Sequence, residues 1–144
     1  MFAVLVVHMR STVQLLDCSK RDFKMPFMFE NLDVYQKSVD LAETIITLTD
    51  EFPKGYYFLT DQLNRASLSI ATNIAEGNGR FTKGDRRNFF IIARGSIQEC
   101  VPLLEIAKRK QFISGVKLSD LLNQLEVISK MISGLINGLE MRKA

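Results

Sequence analysis

Histidine and cysteine are almost missing from this sequence: His8 is the one histidine, and Cys18 and Cys100 are the two cysteines. Two thiols so far apart build neither a disulfide framework nor a metal cluster, and no Cys/His pair stands at ligand spacing. No glycine-rich phosphate loop follows a strand, and no Glu-x-x-His pair of a di-iron bundle occurs. The expectation is therefore no enzyme, no metal and no cofactor. Long apolar runs are missing too. Residues 2–7, "FAVLVV", are far short of the roughly 20 residues that cross a bilayer, and no basic segment precedes them as in a secretory signal. No membrane association is expected, and the few cysteines fit a reduced, cytoplasmic setting.

What is present suits one globular domain. The 144 residues are 47% hydrophobic and 24% charged, a composition that can bury a core and needs no disorder to explain it. The net charge of +3 permits an anionic partner without requiring one. Residues 1–28 lack a clear period and end in a Met-Pro-Phe-Met cluster. They read either as a loosely attached N-terminal extension or as an over-extended reading frame with its true start at Met25 or Met28. The domain proper is then 29–144.

From Asn31 onward the period is helical. Val34, Leu41, Ile45, Leu48 and Phe52 mark a first helix with a wide apolar stripe, capped by Asn31 or Asp33 and stopped at Phe52-Pro53-Lys54-Gly55. A second runs from about Tyr56 to Gly77, where "EGNGR" suits a helix end and turn. A third starts at Thr82 or Asp85 and contains Pro102, which predicts a kink near Gln98 to Pro102. A fourth carries Leu118, Leu121, Leu125, Ile128, Ile132, Leu135 and Leu139 at alternating spacings of 3 and 4, a bundle seam. No segment has strand period. Four long helices with short connections predict an all-α fold, an antiparallel up-down-up-down four-helix bundle.

Two faces stand out. On the second helix, Gln62, Arg65, Ser69, Thr72, Asn73 and Glu76 fall in one stripe of short amides and hydroxyls rather than the Lys and Glu of a solvated face. The stripe is either wet surface or a packed polar seam. On the third, Asn88, Ile92, Gly95, Ser96, Glu99, Leu103 and Ile106 share a face expected to point inward, so Glu99 needs a partner. Arg65 is at the matching level across the turn, which makes Arg65 and Glu99 the expected pair; the alternative is an exposed Arg65. Elsewhere on the third helix and the turn before it, Arg80, Lys83, Arg86, Arg87 and Arg94 face one acid, Asp85. These five cations suit phosphate contacts to RNA or DNA, with Phe81 as a stacking residue and Phe89 as core; a plain solvated face is the alternative.

The stretches "FENLDVYQKSVDLAETIITLTDEFP", "QLNRASLSIATNIAEGNGR" and "FFIIARGSIQE" together resemble the 23S ribosomal RNA intervening-sequence proteins, four-helix bundle proteins. The resemblance runs from about Phe29 to Phe112, and this chain departs from the pattern in its first 28 residues and at Pro102. It implies a small cytosolic bacterial bundle that forms a homopentamer, with no enzymatic activity and with RNA or DNA as the conjectured partner. It also makes Gln62, Arg65, Ser69, Asn73, Glu76, Ser96 and Glu99 an architectural seam. Oligomer formation agrees with the wide apolar stripe of the first helix and with Gly134 and Gly138 one turn apart on the fourth. A protein-interaction scaffold, a ring that contacts a protein partner and no nucleic acid, is the competing reading.

Overall fold

The computed structural model describes residues 27–142. The expectations on Met25, His8, Cys18 and most of the N-terminal extension lie outside the described residues. A 3-10 turn, Met28–Asn31, leads into four α-helices: α1 (Asp33–Thr49), α2 (Tyr57–Asn78), α3 (Lys83–Arg109) and α4 (Gly115–Met141). No strand occurs among the described residues. The all-α expectation holds, and the helix boundaries fall within a few residues of those read from periodicity.

The termini follow local chemistry. Thr82 caps α3: its hydroxyl accepts from the Asp85 backbone N–H at 3.1 Å and donates to the Asp85 carboxylate at 2.7 Å. Ser114 caps α4 by accepting from the Lys117 N–H at 3.0 Å. The start of α1 differs from expectation. Leu32 occupies the cap position and makes no side-chain bond. The 3-10 turn absorbs Asn31 and delivers the chain directly, and Gln36 Nε2 donates back to the Glu30 carbonyl at 2.8 Å to hold it. At the α3–α4 corner, Gln111 takes a φ of 62°, the left-handed conformation that lets the Phe112 N–H reach the Ala107 carbonyl.

α3 continues without interruption through Pro102. The carbonyl that loses its partner belongs to Gln98. Both residues are exposed, so water can satisfy that carbonyl.

Packing follows the apolar stripes read on α1 and α4, whereas α3 turns a different side inward from the one expected. α1 contributes Val34, Leu41 and Ile45, α2 Leu59, Leu63, Ile70 and Ile74, α3 Ala93, Ile97, Cys100 and Leu104, and α4 Leu121, Leu125, Ile128 and Ile132, all buried in one core. Each buried aliphatic side chain contributes about 1.5–3 kcal/mol of transfer free energy, an upper bound given a compact unfolded state. α1 packs on α2, α2 on α3, α3 on α4 and α4 on α1, while the backbones of the diagonal pairs stay further apart. Contacts across the turns run antiparallel. Gly77 meets Phe90 near the α2–α3 turn, while Ser69 meets Ser96 further along; Arg87 meets Glu140 at the far end of α4, while Gly115 lies by Lys108 near the α3–α4 corner.

Gly77 is the tightest point of this packing. It is buried inside α2 rather than serving as the helix-ending residue, and Gly79 holds the C-cap instead. A Cβ at Gly77 would come within 2.8 Å of Phe90 Cε1, so its lack of a side chain is what lets the Phe90 ring lie against α2.

Candidate functional site

The polar stripe of α2 divides into two. Ser69 and Ser96 form the seam between α2 and α3, and Asn73 supports Ser69 from within α2. The hydroxyls of Ser69 and Ser96 hydrogen-bond at 2.8 Å, and Asn73 Nδ2 donates to the Ser69 carbonyl at 2.7 Å and to its hydroxyl at 2.9 Å. Ser96 also donates to the Ile92 carbonyl at 3.1 Å. Short side chains suit this place because two helix backbones approach closely there and each buried polar atom has a partner at once.

Gln62, Arg65, Thr72, Glu76 and Glu99 are exposed instead. The expected inward face of α3 is corrected: Asn88, Ile92, Gly95, Glu99 and Ile106 are exposed and only Ser96 of that face is buried, because the side packed on the core is Phe90, Ala93, Ser96, Ile97, Cys100, Leu104 and Ala107. Solvated, Glu99 needs no partner. Arg65 and Glu99 are at matching levels, as the Ser69–Ser96 bond shows, but they form no ion pair. Glu76 pairs with Arg80, one turn on. A bond that residue patterning missed is that of Thr49, whose hydroxyl donates to Asn64 Oδ1 at 2.9 Å and ties α1 to α2. A threonine at the last turn of an apolar stripe was the available signal.

The basic residues gather around the α2–α3 turn, with several already engaged by the chain itself. Arg80, ion-paired to Glu76, also lies over the Phe89 ring, 4.6 Å from its centroid. Arg86 Nε donates to the Arg80 carbonyl at 2.6 Å and so fixes the turn. Arg87 Nε bonds Glu140 at 3.0 Å, and Lys83 Nζ donates to the Arg142 carbonyl, so both fasten α3 to the end of α4. Arg94 is half-buried, outside these pairs. Phe81 differs from the phenylalanines that follow it, Phe89 and Phe90. Its side chain is fully exposed at the tip of the turn, whereas Phe89 is half-buried beneath Arg80.

No group of acids, cysteines or histidines able to hold a metal ion occurs among the described residues, and no described helix is long and apolar enough to cross a membrane. A cleft of about 320 Å³ lies between α1 and α4, bordered by Lys37, Asp40, Asn123, Gln124, Val127 and Ile128. It contains no nucleophile or acid-base pair in contact.

The family model described as 23S rRNA-intervening sequence protein matches residues 30–134. This chain belongs to that family. Among solved structures, the chain is similar to a protein of unknown function from the S23 ribosomal protein family of Bacteroides thetaiotaomicron VPI-5482. The two share 25% identity with a TM-score of 0.67 over 72% of this chain and 97% of that one. No functionally curated protein matches. The matched region begins at the 3-10 turn and ends inside α4, so the seam and the basic turn are both within it.

Proposed function

We propose that this member of the family is a nonenzymatic nucleic-acid-binding protein of the bacterial cytoplasm, acting as a homo-oligomer, by resemblance a pentamer. Structured RNA is the favoured ligand and DNA the alternative. Phe81 carries the reading. Leaving a phenylalanine fully exposed forgoes about 1.5–3 kcal/mol of burial, and here it sits between Arg80 and Lys83, with Arg86 behind. An unpaired base can stack on that ring while Arg80, Lys83, Arg86, Arg87 and Arg94 contact phosphates.

The test is binding of a fluorescent hairpin RNA and a duplex DNA across a salt series. Affinity should fall steeply as salt rises, and Arg87→Glu with Arg94→Glu should weaken binding to all sequences alike. Phe81→Ala should cost about 1–3 kcal/mol on ligands with unpaired bases and little on the duplex. Absence of binding at low salt would overturn the reading.

A scaffold that assembles without touching nucleic acid is the second reading, and one observation favours it. Arg80, Lys83 and Arg87 already have partners in Glu76, the Arg142 carbonyl and Glu140, which lowers the local excess of positive charge. Affinity purification with and without nuclease separates the two, because a partner that survives nuclease supports the scaffold.

A further inference from the structure

We infer that the outward face shared by α2 and α3 is the surface on which a second copy of this chain docks, with Arg65 of one copy paired to Glu99 of the other. The inference rests on the homo-oligomer reading above and names its interface.

The register set by the Ser69–Ser96 bond places residues in matched levels along this face. Phe58 of α2 is level with Ile106 of α3, Arg65 with Glu99, and Thr72 with Ile92. Phe58, Ile92 and Ile106 are all substantially exposed, at 66%, 50% and 45%. The face thus has apolar contacts toward both ends and two opposite charges in the middle, over a length of about 21 Å at 1.5 Å per residue.

Composition points the same way. The 22 residues of α2 include three charged ones, Asp61, Arg65 and Glu76, and no lysine. A helix face meant for water is normally built from Lys and Glu, whereas the centre of a protein interface is depleted in both and retains Arg. Gly95 lies beside Glu99, and a Cβ there would meet nothing within 4 Å. Nothing inside the bundle calls for a glycine at a mid-helix position, where it costs about 1 kcal/mol relative to alanine. An approaching backbone does.

Charge complementarity selects the occupant. Arg65 and Glu99 form no ion pair in their own chain, and both are exposed. One copy laid against another offers each charge its opposite, since the same surface bears both. An unrelated partner would have to match both signs and the two apolar ends independently.

Three variants and light scattering test this. Arg65→Glu and Glu99→Arg should each shift the mass toward monomer while the helical circular dichroism stays native, because both positions are exposed, and melting should fall only by what assembly itself contributes. Mixing the two variants should restore assembly in part. Where they alternate around a ring, the acid introduced at position 65 of one meets the base introduced at position 99 of its neighbour, and the unaltered Arg65 of that neighbour meets the unaltered Glu99 of the next copy; in a ring of five, four junctions match and one does not. Restoration on mixing is open only to contacts between chains. Gly95→Gln should raise the melting temperature of the chain and yet weaken its assembly at least tenfold. Wild-type protein that stays monomeric at about 100 μM overturns the homo-oligomer reading itself. Wild-type oligomer with all three variants assembling normally, or with no restoration on mixing, overturns the interface alone.

Discussion

Gly77 and Gly95 show how one residue type does opposite things within a single helix pair. At Gly77 the Phe90 ring fills the space a methyl group would need, with Cε1 at 2.8 Å and Cδ1 at 3.0 Å, and Phe90 is itself buried and unable to swing away. Overpacking of this kind costs about 1–3 kcal/mol, against a helix-propensity gain of about 1. Urea denaturation should therefore find Gly77→Ala less stable than wild type, and Gly95→Ala more stable by about 0.5–1 kcal/mol. Equal effects at the two sites would contradict the packing described. Cys100 makes a pH prediction at the same scale. Burial, with the Glu99 carboxylate nearby adding to it, pushes its thiol up to about 12. In the unfolded chain a thiol titrates near 8.5. The native state keeps its proton in a range where the unfolded chain gives it up. The contribution is complete below about pH 8.5 and is lost as pH rises toward 12. Between those limits, wild-type stability should fall more steeply with pH than that of Cys100→Ala, in which the other titrating groups are the same.

At the scale of the element, α3 tolerates a proline because of where the defect falls. Pro102 and the Gln98 carbonyl it orphans are both on the exposed side, so the loss is one internal hydrogen bond and a steric clash, with no stranded buried acceptor. Pro102→Ala should then stabilise the protein by about 1–3 kcal/mol without changing its helix content, as seen by thermal melting and circular dichroism. A destabilised variant would mean that the ring has a packing role. The helix ends behave as local sequence dictates at Thr82 and Ser114. At α1 they do not, because the 3-10 turn at Met28–Asn31 brings the chain in already curved. Asn31, a sound cap by residue type, is one position too early to act.

For the whole molecule, the consequential arrangement is how the cations are shared. Arg87 and Lys83 join α3 to the end of α4, Arg80 joins the turn to α2, and Arg86 braces the turn backbone. The exposed ion pairs contribute little to stability individually, since solvent screens them and side-chain entropy opposes them. They fix where the basic groups point: Arg80 toward α2, and Lys83 and Arg87 toward the end of α4. A nucleic acid that takes over those cations would compete with Glu76 and Glu140. The polar face on the other side of α2 and α3 is free of such internal pairing apart from Glu76, and that separation leaves room for assembly on one surface and ligand on another.

The amino-acid sequence by itself determined the four helices, the apolar faces of α1 and α4 and the neighbour order, because 3.6-residue periodicity and short connections leave few alternatives. It also determined that Arg65 and Glu99 stand at one level, since counting from the α2–α3 turn measures distance along both helices. Only the tertiary structure decided which way Glu99 faces. Helical angles define a face relative to its own helix, and the direction of the core depends on how Gly77 and Ser96 let α3 roll against α2. The fate of the basic residues was hidden for a related reason: Arg87 meets Glu140 across 53 positions of sequence, a contact that exists only once α4 has closed the bundle.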